Sequence, residues 1–396
     1  SAGSSMASWN ARWWAAKLFS TGAPFLPNLI RAFYKSLLQP VLFGLDAETA
    51  HNLAVRSMET MGSARILVDA ALKPAFTVTD ERLAVSVRSL NCPNPVGLAA
   101  GFDKNADLLK ILPAFGFGFV EVGTLTPLPQ EGQKKPRLFR LKQDRALANR
   151  MGFNNPGVKI AAERLKKDWE AGRKIPVGAN LGKGRDTPIE EAAEDYLTGL
   201  EHVHAYADYI VLNVSSPNTP NLRSLQKADY LGGILKKVAE KNRALAEKAG
   251  EPPKLIFTKV SPDCSNEELE EIARLSVQLG TGLIATNTTI DYSVLSHNKK
   301  QLEGGVSGAP LKTKADGVLK KLRLATKGVV PIIGVGGIFS AQDAYDKIRL
   351  GASLVQVYTG WVYQGPSLVP EINKGLLKLM ERDGFKKIQD VVGSAL

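Results

Sequence analysis

The sequence predicts a (β/α)8 TIM barrel with an α-helical extension at its N-terminus. Three observations carry this prediction: short apolar runs rich in β-branched residues recur eight times, helical spacing fills the segments between them, and the alternation continues to the end of the chain. Eight strand–helix repeats over roughly 290 residues are typical of a closed parallel barrel. An open doubly wound sheet is the alternative, but no Gly-x-Gly-x-x-Gly follows the first run and no Gly-x-x-x-x-Gly-Lys-Ser/Thr occurs.

The eight predicted strands lack polar alternation, which indicates that both faces of each strand are covered. They span residues 96–100, 117–122, 175–180, 209–214, 255–260, 282–286, 330–335 and 353–358. Helical spacing is clearest at 188–207, 266–279 and 341–350, and Ser265 and Ser340 stand at N-cap positions. Two gaps, 126–156 and 289–310, are too long for a plain strand–helix connection. Since both follow strand ends, we expect them to wall the barrel mouth.

The N-terminal region differs from the rest of the chain. Residues 1–45 hold eight aromatic residues, four basic residues (Arg12, Lys17, Arg31 and Lys35) and no acidic residue. The stretch between Lys17 and Arg31 has 13 residues and two prolines, whereas a membrane span needs about 20 apolar residues. This pattern predicts short helices at a membrane interface, with the aromatic side chains 13, 14, 19, 25, 33 and 34 entering it. A helical cap on the barrel is the alternative. We divide the chain into a helical region, 1–70, and a barrel, 71–396.

Composition excludes several classes of protein. Hydrophobic residues make up 44% and charged residues 23%, so the chain is globular rather than disordered. A net charge of +12 fits nucleic acid, an anionic membrane or acidic small molecules. Two cysteines exclude a disulfide framework and a cysteine-rich zinc site. His202 and His204 have no third ligand nearby in the sequence, so we expect no metal site.

Chemistry in this fold lies at the C-terminal ends of the strands, and amides and lysines concentrate there. Gly336 and Gly337, followed by a helix near Ser340, predict a phosphate site or, alternatively, a plain tight turn. Lys104 and Lys259 end buried strands, where a bound anion or an electron-rich ring would offset the cost of burying an ammonium group. The alternative is that each side chain extends to solvent at the rim of the barrel. Several asparagines at one mouth favour a planar heterocycle; they are Asn149, Asn180, Asn213, Asn218 and Asn287. No carboxylate pair or histidine base converges there, which argues against glycoside hydrolysis and a Ser-His-Asp triad.

Seven motifs in unbroken order resemble the dihydroorotate dehydrogenase family. They are Gly101-Phe102-Asp103-Lys104, Asn149-Arg150-Met151-Gly152-Phe153-Asn154, Asn180-Leu181-Gly182-Lys183, Asn213-Val214-Ser215-Ser216-Pro217-Asn218, Ala285-Thr286-Asn287-Thr288-Thr289, Gly305-Val306-Ser307-Gly308 and Gly334-Val335-Gly336-Gly337. The chain is most similar to the membrane-associated, quinone-reducing class, because Ser216 stands where the soluble class has a cysteine. The aromatic N-terminus and the segment 45–51 match that class as well.

The resemblance implies an FMN-containing barrel that oxidises dihydroorotate to orotate in pyrimidine biosynthesis. It implies that Ser216 is the catalytic base, taking the C5 proton while C6 delivers hydride to the flavin. The implied substrate-binding residues are Lys104, Asn149, Arg150, Met151, Gly152, Phe153, Asn213, Asn218, Asn287 and Thr288. The implied FMN-binding residues are Ala100, Gly101, Lys104, Thr124, Asn180, Asn213, Lys259, Thr286, Gly308, Gly337, Tyr358 and Thr359. His51, Arg140 and Tyr358 would line a quinone tunnel; taken alone, His51 is an ordinary helix residue and Arg140 a surface one.

The expected partners are dihydroorotate or orotate, a ubiquinone-type quinone and a membrane surface, with no nucleic acid and no metal. The expected location is the mitochondrial inner membrane, with a bacterial inner membrane as the alternative. Two rival functions have different signatures. An FMN barrel that reduces uridines in transfer RNA would need a basic extension, whereas the positive charge here is scattered. A non-catalytic membrane module would be colourless.

Overall fold

The computed structural model describes residues 31–64, 66, 68–297 and 302–396. The interfacial aromatic residues expected at positions 13, 14, 19 and 25, and the basic residues Arg12 and Lys17, lie outside these ranges. Among the described residues, no helix is long and apolar enough to cross a bilayer.

Eight parallel strands close into the predicted barrel. A hairpin of β1 (Val85–Val87) and β2 (Leu90–Cys92) precedes them. The barrel strands are β3 (Val96–Leu98), β4 (Phe119–Leu125), β7 (Val177–Leu181), β8 (Tyr209–Asn213), β9 (Leu255–Val260), β10 (Gly282–Ala285), β12 (Ile332–Val335) and β13 (Leu354–Val357). Each pairs with its neighbour in chain order and β13 pairs with β3. The structure therefore confirms both the fold class and all eight predicted strands.

Aromatic side chains fill the N-terminal end of the barrel because glycines on neighbouring strands leave room for them. Gly97 faces the ring of Phe119, and a Cβ at Gly282 would lie 2.5 Å from the ring of Phe257. Tyr209 lies between these two rings and its hydroxyl donates to the carbonyl of Val120 at 3.0 Å. This packed layer closes the N-terminal end of the barrel, so the interior opens only toward the C-terminal strand ends.

Helices cover the outside of the barrel, and their N-caps follow the predicted signals. Ser265 and Glu268 form a complete capping box, and Ser340 accepts from the backbone N–H of Asp343. The helices of the barrel and its C-terminus are α4 (Val158–Glu170), α5 (Ala192–Val203), α6 (Ala228–Ala249), α7 (Asn266–Leu279), α8 (Lys312–Ala325), α9 (Ala341–Arg349), α10 (Thr359–Gln364) and α11 (Leu368–Asp383). They follow α1 (Gln39–Gly44), α2 (Ala47–Ser63) and α3 (Lys73–Phe76).

The two long insertions meet in a small antiparallel sheet at the barrel mouth. The first insertion supplies β5 (Leu138–Leu141) and β6 (Ala146–Asn149), and the second supplies β11 (Gly305–Gly308). Their order is β11-β6-β5. The expectation that both insertions wall the mouth is confirmed, although the sequence did not predict that they pair with each other.

The helices α1 and α2 pack on this sheet through polar contacts. Glu48 at the start of α2 forms a buried ion pair with Arg137, at 2.7 Å between Oε1 and Nη2.

Phe33 remains half-exposed, but Tyr34 turns inward and its hydroxyl donates to the carbonyl of Val362 at 2.6 Å. The hydroxyl of Tyr34 therefore has a protein partner, and the expectation that this side chain enters a membrane interface stays a prediction.

Candidate active site

A single cavity at the C-terminal strand ends gathers the residues that the sequence singled out. It encloses about 1230 Å³, its open mouth included. All but three of the predicted site residues line it: His51, Ala100, Gly101, Lys104, Thr124, Asn149, Met151, Gly152, Phe153, Asn213, Ser216, Asn218, Lys259, Thr286, Asn287, Thr288, Gly308, Gly337, Tyr358 and Thr359. The convergence follows from the barrel, which brings the ends of all its parallel strands to one rim.

Three predicted residues do not line the cavity. Asn180 lies behind Thr124 and is fully buried. Arg150 forms an ion pair with Glu303 and donates to the carbonyl of Pro136, so its guanidinium points outward. Arg140 donates to the carbonyls of Leu42 and Leu45 at the end of α1.

Glycines at the ends of β11 and β12 form a backbone concavity. Gly308, Gly336 and Gly337 all have positive φ, which disfavours any residue with a Cβ. A Cβ at Gly337 would lie 2.5 Å from the Cβ of Lys312, the first residue of α8. Helix α9 begins just beyond this turn. Exposed backbone N–H groups beside helix N-termini are the usual setting for a phosphate.

A chain of hydrogen-bonded side chains runs from the barrel interior to the cavity. Glu121 accepts from Asn180 Nδ2 at 2.6 Å, and Asn180 Oδ1 accepts from the hydroxyl of Thr124 at 2.6 Å.

Beyond Thr124 the chain reaches the cavity wall. Asn213 Nδ2 donates to Thr124 Oγ1 at 3.0 Å, and Asn213 Oδ1 accepts from Asn287 Nδ2 at 3.2 Å. Each group has one orientation that satisfies its partners, so the chain fixes which face Asn213 and Asn287 present to a ligand.

The loop that carries Ser216 is tied to both walls of the mouth. The Oγ atom of Ser216, which is buried, accepts from the backbone N–H of Asn218 at 3.3 Å. The side chain of Asn218 donates to Asn149 on β6, while Arg223 donates to the carbonyls of Ser215 and Thr288. The serine is thereby held at a fixed place beside the cavity.

The charges beside the cavity come from Lys104 and its neighbours. Burial lowers the pKa of Lys104 to about 8; the Glu48 carboxylate opposes this change, and Arg137 and Lys135 add to it. Burial, followed by the charge of Lys104, lowers the pKa of His51 to about 3. His51 is therefore neutral at pH 7, whereas most Lys104 side chains carry a positive charge.

Aromatic side chains lie where this cavity borders the N-terminal helices. His51 on α2 contacts Phe102 edge-to-face at 4.9 Å between ring centroids, and Phe102 contacts Tyr358 in the same way at 5.9 Å. His51 and Tyr358 line the cavity, as do Leu138 and Leu147 of the small sheet. Two of the three predicted quinone-tunnel residues thus contact Phe102 and line the cavity, while the guanidinium of Arg140 lies over the ring of Phe43, 4.9 Å from its centroid.

Two polar residues of the site were missed in the sequence. Glu121 and Gln356 lie inside the barrel, and Gln356 Nε2 donates to Glu121 Oε2 at 2.7 Å. Each is a long polar residue in a strand that is otherwise mostly apolar, which was the available signal. Among the residues that the structure describes, no three His, Cys, Asp or Glu side chains form a group that could hold a metal.

Comparison with known proteins gives consistent matches. Residues 82–380 match the family model described as dihydroorotate dehydrogenase. The chain is 45% identical to dihydroorotate dehydrogenase (quinone) of Myxococcus xanthus, covering 90% of this chain and 97% of that protein. It is 47% identical to the protein of the same name from Acidithiobacillus ferrooxidans, covering 90% and 98%. The structure of DHODH from Eimeria tenella in complex with ferulenol is similar, with a TM-score of 0.79, 38% identity and coverage of 89% and 98%.

Proposed function

The chain belongs to the dihydroorotate dehydrogenase family, and we propose that it oxidises (S)-dihydroorotate to orotate, with FMN as its flavin, a membrane quinone as electron acceptor and Ser216 as the base. It is an oxidoreductase of the quinone-dependent class, to which its relatives of 45–47% identity belong by name. The reaction is the redox step of de novo pyrimidine biosynthesis. One observation supports the proposal above the others: a single cavity joins Ser216, a cation, several amides and a glycine-lined concavity.

The residues present fit a flavin mononucleotide. A Cβ at Gly308 would overlap the carbonyl oxygen of Arg145. A Cβ at Gly337 would lie 2.5 Å from the Cβ of Lys312. Glycine therefore permits the close backbone packing of this concavity, which suits a phosphate. Gln356 lines the cavity and its buried Oε1 has no partner among the described residues, so it is available to an N–H of the ring. The other residues that would hold the flavin are Ala100, Gly101, Lys104, Thr124, Asn213, Lys259, Thr286, Tyr358 and Thr359, with Asn180 supporting Thr124 from behind.

The substrate carries a carboxylate and a planar imide, and the cavity offers groups for both. Lys104 supplies a positive charge that would pair with the carboxylate. Asn149, Asn213, Asn218 and Asn287 supply donors and acceptors for the imide, and Thr288 lies beside them. Met151, Gly152 and Phe153 lie on the same wall, whereas Arg150 would act only by bracing this segment against Glu303.

Ser216 would take the C5 proton of the substrate. Bound FMN supplies the complementary chemistry, accepting hydride from C6 and passing the electrons to quinone. A free serine hydroxyl is a weak base, so its contribution depends on placement and on a route for the proton to solvent. The contacts from the Asn218 N–H and from Arg223 to the loop provide that placement. Among the described residues, His51 is the only histidine that lines the cavity.

Quinone would enter from the side of the N-terminal helices. Phe33, Leu37 and Val41 each expose half or more of their surface there, which suits a membrane interface. Residues 1–70 would thus form the membrane-associating and quinone-access region, and residues 71–396 the catalytic barrel. The relatives named above from Myxococcus and Acidithiobacillus are bacterial. They favour the cytoplasmic face of a bacterial inner membrane and lend no support to a mitochondrial location.

An anaerobic mixing experiment tests the function directly. The purified protein should show flavin absorption, and dihydroorotate should bleach it with formation of one orotate per flavin. Addition of a quinone should restore the absorption. A protein that takes up no FMN, or a flavin that dihydroorotate does not reduce, would overturn the proposal.

A further inference from the structure

A buried carboxylate lies directly beneath the proposed flavin site. Glu121 on β4 points into the barrel and has no exposed surface. Three side chains from three other strands converge on it: Asn180 Nδ2 at 2.6 Å, Gln356 Nε2 at 2.7 Å and Lys259 Nζ at 3.4 Å. Of these, Lys259 and Gln356 also line the cavity.

The partners of Glu121 define its charge. All three are donors, so both carboxylate oxygens act as acceptors and no proton is needed between them. This set of donors suits a carboxylate, and Glu121 forms an ion pair with Lys259. Both charges are largely shielded from solvent, since the side chain of Lys259 is 6% exposed and that of Glu121 is fully buried. Each charge is consequently compensated mainly by the other.

This pairing matters to a flavin because reduction adds negative charge to the ring. A cation near the pyrimidine edge favours the reduced, anionic form. A carboxylate behind that cation opposes it, and in a buried site the opposition is weakly screened. We propose that Glu121 is a positioning residue that holds Lys259 and, by neutralising it, sets the reduction potential of the bound flavin. The inference rests on the proposed flavin site.

The buried network supports this role because it anchors Glu121 independently of Lys259. Asn180 and Gln356 hold the carboxylate from two sides, and Asn180 is itself held by Thr124. The carboxylate therefore stays in place whether or not a ligand is bound. The ammonium of Lys259 has no other hydrogen-bond partner in the part of the chain that the structure describes, which leaves its remaining donors for the cavity.

The test is a charge cycle read out as the flavin potential. Glu121→Gln leaves Lys259 uncompensated, Lys259→Met leaves Glu121 uncompensated, and the double variant is neutral like the wild type. FMN content and the two-electron potential are measured for each protein in redox-dye titrations without substrate. We expect Glu121→Gln to favour reduction at least tenfold, a rise of about 30 mV for a two-electron couple. The potential of the double variant should differ from that of the wild type by less than half of this rise. The potential of Lys259→Met should lie below that of the wild type.

Two controls separate this role from a structural one. Glu121→Asp keeps the charge and should keep the potential close to wild type. Asp168→Asn removes a carboxylate that accepts from a buried arginine, Arg173, at 2.7 Å outside the barrel, and should leave the potential unchanged. If Glu121→Gln does not fold, the difference in potential between Lys259→Met and the double variant measures the effect of the same carboxylate charge. The double variant is expected to fold, because neutral isosteres often replace a buried ion pair at little cost.

The outcomes are distinct. A potential that stays unchanged or falls on removal of the Glu121 charge, with FMN bound, overturns the inference and leaves the proposed function intact. A wild-type protein that takes up no FMN contradicts the proposed function itself.

Discussion

The lowered pKa of Lys104 predicts that the affinity of the protein for orotate falls as the pH rises from 7 to 9. Only the ammonium form would attract the carboxylate of orotate, and burial lowers the pKa of this side chain to about 8. The fraction of charged Lys104 then drops from about nine-tenths at pH 7 to about one-tenth at pH 9, so orotate should bind roughly tenfold more weakly. A lysine with an ordinary pKa would remain almost fully charged over the same range.

The assay is calorimetric titration of orotate into the FMN-loaded, oxidised protein between pH 6 and pH 10. Lys104→Arg is the matched control, because a guanidinium stays charged throughout and any pH dependence that remains belongs to orotate or to other groups. Glu48→Gln provides a second perturbation. The Glu48 carboxylate raises the pKa of Lys104, so its removal should move the decline in affinity below pH 8.

Two results would refute this reasoning. One is a wild-type affinity that stays constant to pH 9. The other is an identical decline in Lys104→Arg, which would show that Lys104 does not cause it.

Three further predictions follow from the site. Ser216→Ala should keep its bound flavin and its affinity for orotate but slow flavin reduction by about 10²- to 10⁴-fold. Ser216→Cys should retain part of the rate. An unchanged single-turnover rate in Ser216→Ala would show that Ser216 is not the base. Gly337→Ala should abolish FMN retention on a desalting column, because its Cβ would lie 2.5 Å from that of Lys312 at a φ of +73°. Gly384→Ala, at a similar φ with open space around it, is the control. Full FMN content in Gly337→Ala would contradict the assignment of the glycine concavity to the phosphate. Deletion of residues 1–45 retains both Glu48 and Arg137, so the truncated protein should still reduce a soluble dye with dihydroorotate. Its binding to liposomes and its turnover with a long-chain quinone should both be lost. Equal quinone turnover by the full-length and truncated proteins would show that these residues serve only as a helical cap.

Much of the site was predictable because the barrel turns a local pattern into a spatial one. Parallel strands that are buried on both faces appear in sequence as apolar runs, and the residues that follow them must meet at one rim. This reasoning places Lys104, Ser216, Asn287 and Gly337 around one cavity from four distant segments, and the structure confirms that they meet.

The sequence by itself therefore determined the eight strands and many of the residues that line the cavity, since strands and their ends are marked by neighbours along the chain. Only the tertiary structure decided which side chains pair across the barrel. The convergence of Asn180, Lys259 and Gln356 on Glu121 joins four strands. The pairing of β11 with β6 joins two insertions more than 150 residues apart, from Ala146–Asn149 to Gly305–Gly308. Tyr34 and Arg140 likewise find backbone carbonyls of distant segments. Such contacts depend on how the barrel closes, because the partner of a polar group is set by distance in space and leaves no periodic signal in the sequence.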